Sequence, residues 1–475
     1  MTTRSISRRF AALLTTVALV LGACGAESGA DATGGAATVF DPSYVHEISL
    51  TFDQAEYDEI VEIYAETGEK DWISATVTID GTTYEDVGIR LKGNSSLRGL
   101  GESQSDGGPG GRADADEPEE LPWLIRLDKY VDGQSHDGIV DLVVRSNNSE
   151  TALNEAIALE VLELAGLATQ QAIAVAFSVN GSDPTLRLVI EHPEDVWMAE
   201  TFDADGALYK AESTGDYRYR GDDPDAYDEV FDQEAGDDNA DLTPLIAFLR
   251  FLDESDGATF AAELGEWLDI DAFATYLAVQ DLIDNFDDID GPGNNSYLYY
   301  DTDTDVFTVV AWDHNLAFGA LGNRGLAGGD GFAGGEGIPP AGGEDGFQPP
   351  EGAPGGGFAG GERPAAGELP EGGPPAGGED GFEPPEGALG GGFGADGGPA
   401  GGPALGNVLR DRFLAVDEFA ALYEAQLAEL EASLYESGAV ADVLEAWVEV
   451  LSTTDLVDTA TVEAEAASIA AYLEG

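Results

Sequence analysis

Cationic side chains are scarce. Lys and Arg number 20 against 93 Asp and Glu, a formal charge of −73 over 475 residues. A nucleic-acid-binding surface must neutralise phosphates, so this balance excludes such a partner. It excludes direct adsorption to anionic lipid headgroups for the same reason. Cysteine occurs once, which excludes a disulfide framework and a thiolate zinc site. The four histidines, His46, His136, His192 and His314, do not form a Ser-His-Asp pattern. A Walker-type phosphate loop, a GxGxxG after a strand, HExxH and GxSxG are all missing. Hydrophobic residues make up 43% and aromatics 9%, which excludes a wholly disordered chain. The length allows two or three domains.

The lone cysteine has a telling place. Arg4, Arg8 and Arg9 precede an apolar run from Phe10 to Ala23. That run falls short of the ~20 residues a spanning helix needs and has the form of a secretory signal over residues 1–23. Leu21-Gly22-Ala23-Cys24 resembles the bacterial lipobox, in which the cysteine becomes the lipidated first residue of the mature chain. Cys24 is therefore the expected lipid attachment, residues 24–39 a flexible tether, and the mature protein an extracytoplasmic envelope lipoprotein that meets the membrane through its anchor alone. An ordinary signal peptide with an incidental cysteine is the alternative.

Glycine, at 63 residues, is concentrated from residue 322 to 406, where Gly, Pro, Ala and Glu dominate. AGGEDGFQPPEGAPGGGF from Ala341 returns as AGGEDGFEPPEGALGGGF from Ala376. Such a composition cannot bury enough apolar area to offset chain entropy. The expectation is a disordered insertion within a folded domain, because helical sequence resumes after it. A smaller insertion runs from Leu100 to Glu119.

The remainder reads as α+β. Trp72 to Leu91 alternates around Asp80-Gly81, a hairpin signal. Leu121 to Asp128 and Ile139 to Arg145 read as strands. Asn148 or Ser149 caps a helix through Leu153, Ile157, Val161 and Leu164 that Gly166 ends. Ala172 to Val179 and Leu186 to Ile190 flank Asn180-Gly181, a second hairpin. Helical spacing follows over Leu245 to Leu252 and Ile270 to Asp284, then a third hairpin, Tyr297 to Tyr300 with Val306 to Trp312. Asn407 to Leu473 is helical throughout. Trp197, Trp267 and Trp447 read as core, and the acidic run from Asp222 to Asp241 as a solvated loop.

The dense chemical feature is DNFDDIDGPGNNSYLYYDTDTDVFTVVAWDHNLAFG, from Asp284 to Gly319. Asp290 precedes Asn295 by five positions, and Asp313 follows a strand pair. Phosphoryl transfer needs a carboxylate to orient the attacking hydroxyl and oxygen ligands to hold Mg²⁺ on the phosphates. Protein kinases use an Asp, an Asn five residues on, and a second Asp after a hairpin, and Asp290, Asn295 and Asp313 match that order. The spacing alone also suits an acidic helix end and loop.

The stretch NNSYLYYDTDTDVFTVVAWDHNLAFG resembles the signature of the spore-coat CotH kinase family: a YLY strand, an acidic turn, a second strand and WDxDxxFG. VGIRLKGNSS, Val87 to Ser96, resembles the family's VRxKGNSS element. Trp123 to Lys129 resembles its basic strand, Phe177 to Glu191 its strand-NG-strand-Glu block, and Leu208-Tyr209-Lys210 its LYK. Asn407-Val408-Leu409 opens a helical region like the family's. The resemblance implies a remote protein-kinase-like two-lobed fold that transfers phosphate from ATP to protein Ser with Mg²⁺. It casts Asp290 as the catalytic-loop acid, Asn295 and Asp313 as metal ligands, and Lys92 and Arg126 as nucleotide-phosphate contacts, with Lys210 and Glu191 ranked behind them. Both cations are equally readable as surface ion pairs.

Two departures stand out. Asn315 replaces the second acid of WDxD. Asp301, Asp303 and Asp305 alternate along a turn, but a solvated turn suits them better than a Ca²⁺ loop, because neither the glycine nor the glutamate of an EF-hand is placed correctly. A basic substrate protein and a saline habitat would each fit the overall charge. Two functions of different class follow: an exported kinase-like phosphotransferase, and a non-catalytic surface structural or adhesion lipoprotein that keeps the fold.

Overall fold

The computed structural model describes residues 39–93, 95–97, 99–100, 113–202, 205–212, 214–236, 241–291, 293–319 and 406–473. The signal, nearly all of the tether, most of the smaller insertion and all but the last residue of the Gly/Pro-rich insertion lie outside the described residues. The chain mixes α and β structure.

Seven strands close into a barrel in the order β1-β2-β3-β4-β5-β7-β6. They are β1 (His46–Phe52), β2 (Ile73–Ile79), β3 (Thr82–Leu91), β4 (Trp123–Arg126), β5 (Asp141–Val144), β6 (Ala172–Val179) and β7 (Thr185–Glu191). Strand alternation splits the apolar residues between two cores. In β4, Trp123 and Ile125 fill the barrel, while Leu124 faces a second core outside it. In β7, Val189 points in and Leu186, Leu188 and Ile190 point out. Both predicted hairpin turns are present. Asp80 and Gly81, with φ 44° and 81°, form the two-residue loop between Ile79 and Thr82; Asn180 and Gly181, with φ 50° and 81°, make a turn closed by the Ser182 N–H on the Val179 carbonyl at 2.9 Å, within a longer connection from β6 to β7. β1 runs antiparallel to β2 and closes the barrel by parallel pairing with β6.

The outer barrel face packs on helix α2 (Leu153–Leu164), which is buried around most of its circumference. Asn148 and Ser149 are not its caps. The helix begins at Leu153 after Ala152, held at φ 54°. Ser149 Oγ accepts the Ala152 N–H at 3.1 Å and Thr151 Oγ1 the Leu153 N–H at 3.2 Å, so these hydroxyls satisfy a preceding turn instead.

A second sheet has the order β11-β10-β8-β9, from β8 (Gly206–Ala211), β9 (Phe231–Ala235), β10 (Ser296–Asp301) and β11 (Val306–Ala311). β9 lies inside the acidic run expected to be a solvated loop: Phe231 and Ala235 are buried, and Asp232, Gln233 and Glu234 between them are not. Helices α4 (Thr243–Glu254), α6 (Ile270–Leu282) and, after the insertion, α7 (Val408–Leu414), α8 (Asp417–Leu430), α9 (Ala439–Leu451) and α10 (Thr459–Leu473) complete this region. Among them sit α3 (Asp195–Thr201) and α5 (Gly257–Glu263); α1 (Gln54–Thr67) lies between β1 and β2. Among the described residues, no helix is long and apolar enough to cross a membrane.

Candidate active site

The ends of β3 and β5 face the second sheet and the loops before β10 and after β11 across a cavity of about 450 Å³. The chain has four lysines, and Lys70, Lys92 and Lys210 all line it. Arg90 and Arg145 join them. Glu212, Asp232, Glu234, Asp287 and Asp313 line the same space. Five cations thus meet five carboxylates in this one cavity, in a chain with only 20 Lys and Arg.

Lys92 directly follows β3 and donates from Nζ to His192 Nε2 at 2.8 Å. It also lies over the Trp312 ring, 5.9 Å from the centroid. Loss of solvent, reinforced by Lys210, Arg90 and Lys70 and opposed by Glu234, pulls its pKa down to about 7. Burial, and then the positive charge of Lys92, holds His192 well below its ordinary value, so the imidazole is neutral. Its Nδ1 lies 2.9 Å from Glu194 Oε1, off the hydrogen-bonding direction. Arg126 is not in the cavity. Its guanidinium is bidentate to Asp141, at 2.8 and 3.1 Å, and also pairs with Glu194. Asp141, His192 and Glu194 bring donor atoms within 4.8 Å of one another, but Arg126 fills the place between the two carboxylates.

Arg145, at the end of β5, bridges two acids. It meets Glu155 of α2 at 2.8 and 3.0 Å and also pairs with Asp313. Burial works against the Arg145 charge, but Asp313 and Glu155 together outweigh it and raise its pKa. Glu155 is pushed up by burial, against the opposing pull of Arg145. Asp313 has φ 61°, a left-handed conformation that Asp tolerates better than most non-glycine residues. His314 beside it is buried, and burial lowers its pKa to about 4.

The loop before β10 divides its acids between two tasks. Asp287 faces the cavity and accepts the Gly293 N–H at 2.6 Å. Asn295 Nδ2 donates to the Asp287 carbonyl at 2.8 Å, fixing the amide. A Cβ at Gly291 would lie 2.5 Å from Asp287 Cα, and one at Gly293 2.8 Å from Asp287 Oδ2, so both glycines leave room for this carboxylate. Burial, then the nearby Asp313 charge, raises the Asp287 pKa. Asp288 is raised to about 6, mainly by burial. Asp290 turns the other way: it accepts the Asn407 N–H at 2.6 Å and pairs with Arg410 at 2.8 Å. Asn407 caps α7, so Asp290 clasps the resumed chain to the loop.

Of the residues singled out by sequence, the structure brings Lys92, Asn295 and Asp313 to one cavity, with Lys210. Asp290 and Arg126 are spent in ion pairs away from it. Glu191 accepts from Gln171 at 2.8 and 3.1 Å. Asp301 accepts the N–H groups of Asp303 and Thr304, and Asp305 the Tyr300 hydroxyl, which fits the solvated-turn reading. Asp287, Arg145 and Glu155 went unread. The signal for Asp287 was the pair Gly291 and Gly293 after it, whose missing side chains let the earlier acid lie beside Asn295. Arg145 was a lone cation ending the apolar run DLVV.

Asn295 and Asp313, both facing the cavity, could offer oxygen ligands, which suit a hard divalent cation rather than a soft one. A family model described as CotH kinase protein matches residues 89–470, most of the chain. The chain belongs to that family. No curated protein sequence matches it.

Proposed function

We propose that the chain is a phosphotransferase that takes ATP with Mg²⁺ into this cavity and passes the terminal phosphoryl group to a serine hydroxyl of a protein. The observation that carries the reading is the convergence of Lys70, Lys92 and Lys210 with Asp287, Asn295 and Asp313 on one cavity of an otherwise strongly acidic chain. Phosphoryl transfer depends on positioning and on charge placed against the phosphate oxygens. In this reading Lys92 contacts phosphate oxygens, and Asn295 and Asp313 hold the metal, which when bound neutralises charge on the phosphates. Asp287 orients the serine hydroxyl and takes its proton as the oxygen bonds to phosphorus and ADP leaves; its raised pKa suits that transfer. Arg126 and Asp290 hold structure. The barrel with Lys92 corresponds to one lobe of a kinase-like pair, and the second sheet with its helices to the other.

The substrate side of the reading is a basic, Ser-containing protein, in keeping with the chain's charge. Export and lipid attachment at Cys24 belong to the same proposal; unchanged membrane fractionation of Cys24→Ala would remove that part. One observation favours a non-catalytic surface lipoprotein instead: Arg145 already occupies the Asp313 carboxylate. The deciding experiment incubates the purified mature chain with labelled ATP, Mg²⁺ and a basic Ser-containing protein. Transfer of label to serine is the expected result. No transfer, with the chain folded, leaves the non-catalytic reading.

A further inference from the structure

Lys92 and Lys210 enter the cavity with different partners. Lys210 is matched by a carboxylate, Glu212, at 2.5 Å. The Lys92 ammonium instead meets a neutral imidazole, His192 Nε2, at 2.8 Å. His192 is only 2% exposed and stands edge-on to Trp312, ring centroids 6.4 Å apart. Lys92 lies over that same indole. Lys92 and His192 each follow the last residue of a barrel strand, β3 and β7, so the barrel fixes both backbones.

We propose that His192 is a positioning residue for Lys92: its imidazole accepts from the ammonium and holds it over Trp312, aimed at a phosphate group in the cavity. This rests on the phosphate-binding reading above. An ammonium has three donors. A carboxylate partner would cancel the charge that phosphate must feel, whereas a neutral acceptor fixes the direction and leaves the charge and two donors for the ligand. The charged groups around Lys92 are Arg90 on its own strand, Lys70 ahead of β2, Lys210 on β8 and Glu234 on β9. Arg145 shares the Trp312 ring but is balanced by Asp313 and Glu155. Burial first, then this positive surplus, lowers the Lys92 pKa, and an arriving phosphate supplies a counter-charge.

The test titrates the full mature chain with inorganic triphosphate and with Mg–ATP from pH 7.5 to 9. Wild type is expected to weaken by about 20- to 30-fold over that range as Lys92 loses its proton before binding. Lys92→Arg removes the pH dependence, since a guanidinium stays charged. His192→Leu weakens binding at pH 7.5 by about tenfold or more, the loss of a hydrogen bond to a charged group. His192→Gln, whose amide oxygen can accept in the same place, restores most of the affinity. His192→Leu binding like wild type, with the same pH profile, would overturn the proposal while leaving the phosphate site standing. If wild type binds neither probe at any pH, the phosphate reading fails and takes this inference with it. Should the leucine variant not fold, the ¹⁵N NMR shifts of His192 in the wild-type chain decide: an unprotonated Nε2, able to accept from Lys92, is expected, and a proton on Nε2 overturns the proposal.

Discussion

The barrel and the second sheet bring opposite charges to one cavity. Arg90, Lys92 and Arg145 come from barrel strands or the residues just after them, with Lys70 ahead of β2. Glu212, Asp232, Glu234, Asp287 and Asp313 come from the second sheet and its loops, with Lys210 as the exception. The two sides also hold their groups differently. The barrel aims side chains by strand register, Arg90 opposite Leu124 and Leu91 opposite Trp123. The other side uses irregular backbone, with Asp284, Asn294, Asp313 and Phe318 at positive φ. A face of one sign would repel itself. Two opposed faces offset one another, and the proposed function uses them as separate places for a phosphate and its cation.

The sharpest way to break this comparison lies within the acidic side. Asp287→Asn is expected to lower phosphate transfer by about 10²- to 10⁴-fold, the range for a lost general base, and to keep Mg–ATP binding. Asp290→Asn, changing an acid that faces Arg410, is expected to keep transfer within about threefold. Equal loss in the two variants, read in the labelled-ATP assay, would remove the division of labour between them.

Where the two sides meet, Glu155→Ala leaves Arg145 with Asp313 alone. Breaking one arm of a buried ion network is expected to destabilise the fold by about 3 kcal/mol, read by chemical denaturation. A change under about 1 kcal/mol would show that Asp313 balances Arg145 unaided.

Asp288→Asn works in the opposite direction. The folded-state pKa of Asp288 is about 6 against 3.8 for the free side chain, so the native state binds the extra proton between those values. Wild type therefore loses stability as pH rises through that window. The asparagine variant is expected to be more stable by on the order of 2 kcal/mol above pH 7, with the difference vanishing below about pH 4. A gain independent of pH would contradict burial as the cause.

The smallest effect is expected at the clasp. Asp290→Ala removes the bonds to the buried Asn407 and the partly exposed Arg410 and is expected to cost about 1 to 2 kcal/mol in thermal or denaturant melts.

The hairpins were legible because alternation and Asp-Gly or Asn-Gly turns are local signals. Barrel closure was not, because β1 pairs with β6 more than a hundred residues away, and no local pattern records a parallel partner. β1 and α1 went unread, although Ile48, Leu50 and Phe52 alternate and Asp53 caps the helix through its side chain. At the site, Asn295 and Asp313 were legible from their places around a hairpin. Asp290 was chosen over Asp287 because linear spacing carries no knowledge of how Gly291 and Gly293 turn the loop. Arg126 was read as a ligand contact, but its partners Asp141 and Glu194 come from the next strand and from a loop beyond β7, and their nearness exists only in the fold.

The central claim is that the cavity unites a phosphate site with a cation site, and calorimetric titration with ATP tests it most directly. The account predicts saturable binding by the wild-type chain that requires Mg²⁺ and is lost in Asp313→Ala. Binding of equal strength without Mg²⁺, or undiminished in Asp313→Ala, would contradict it.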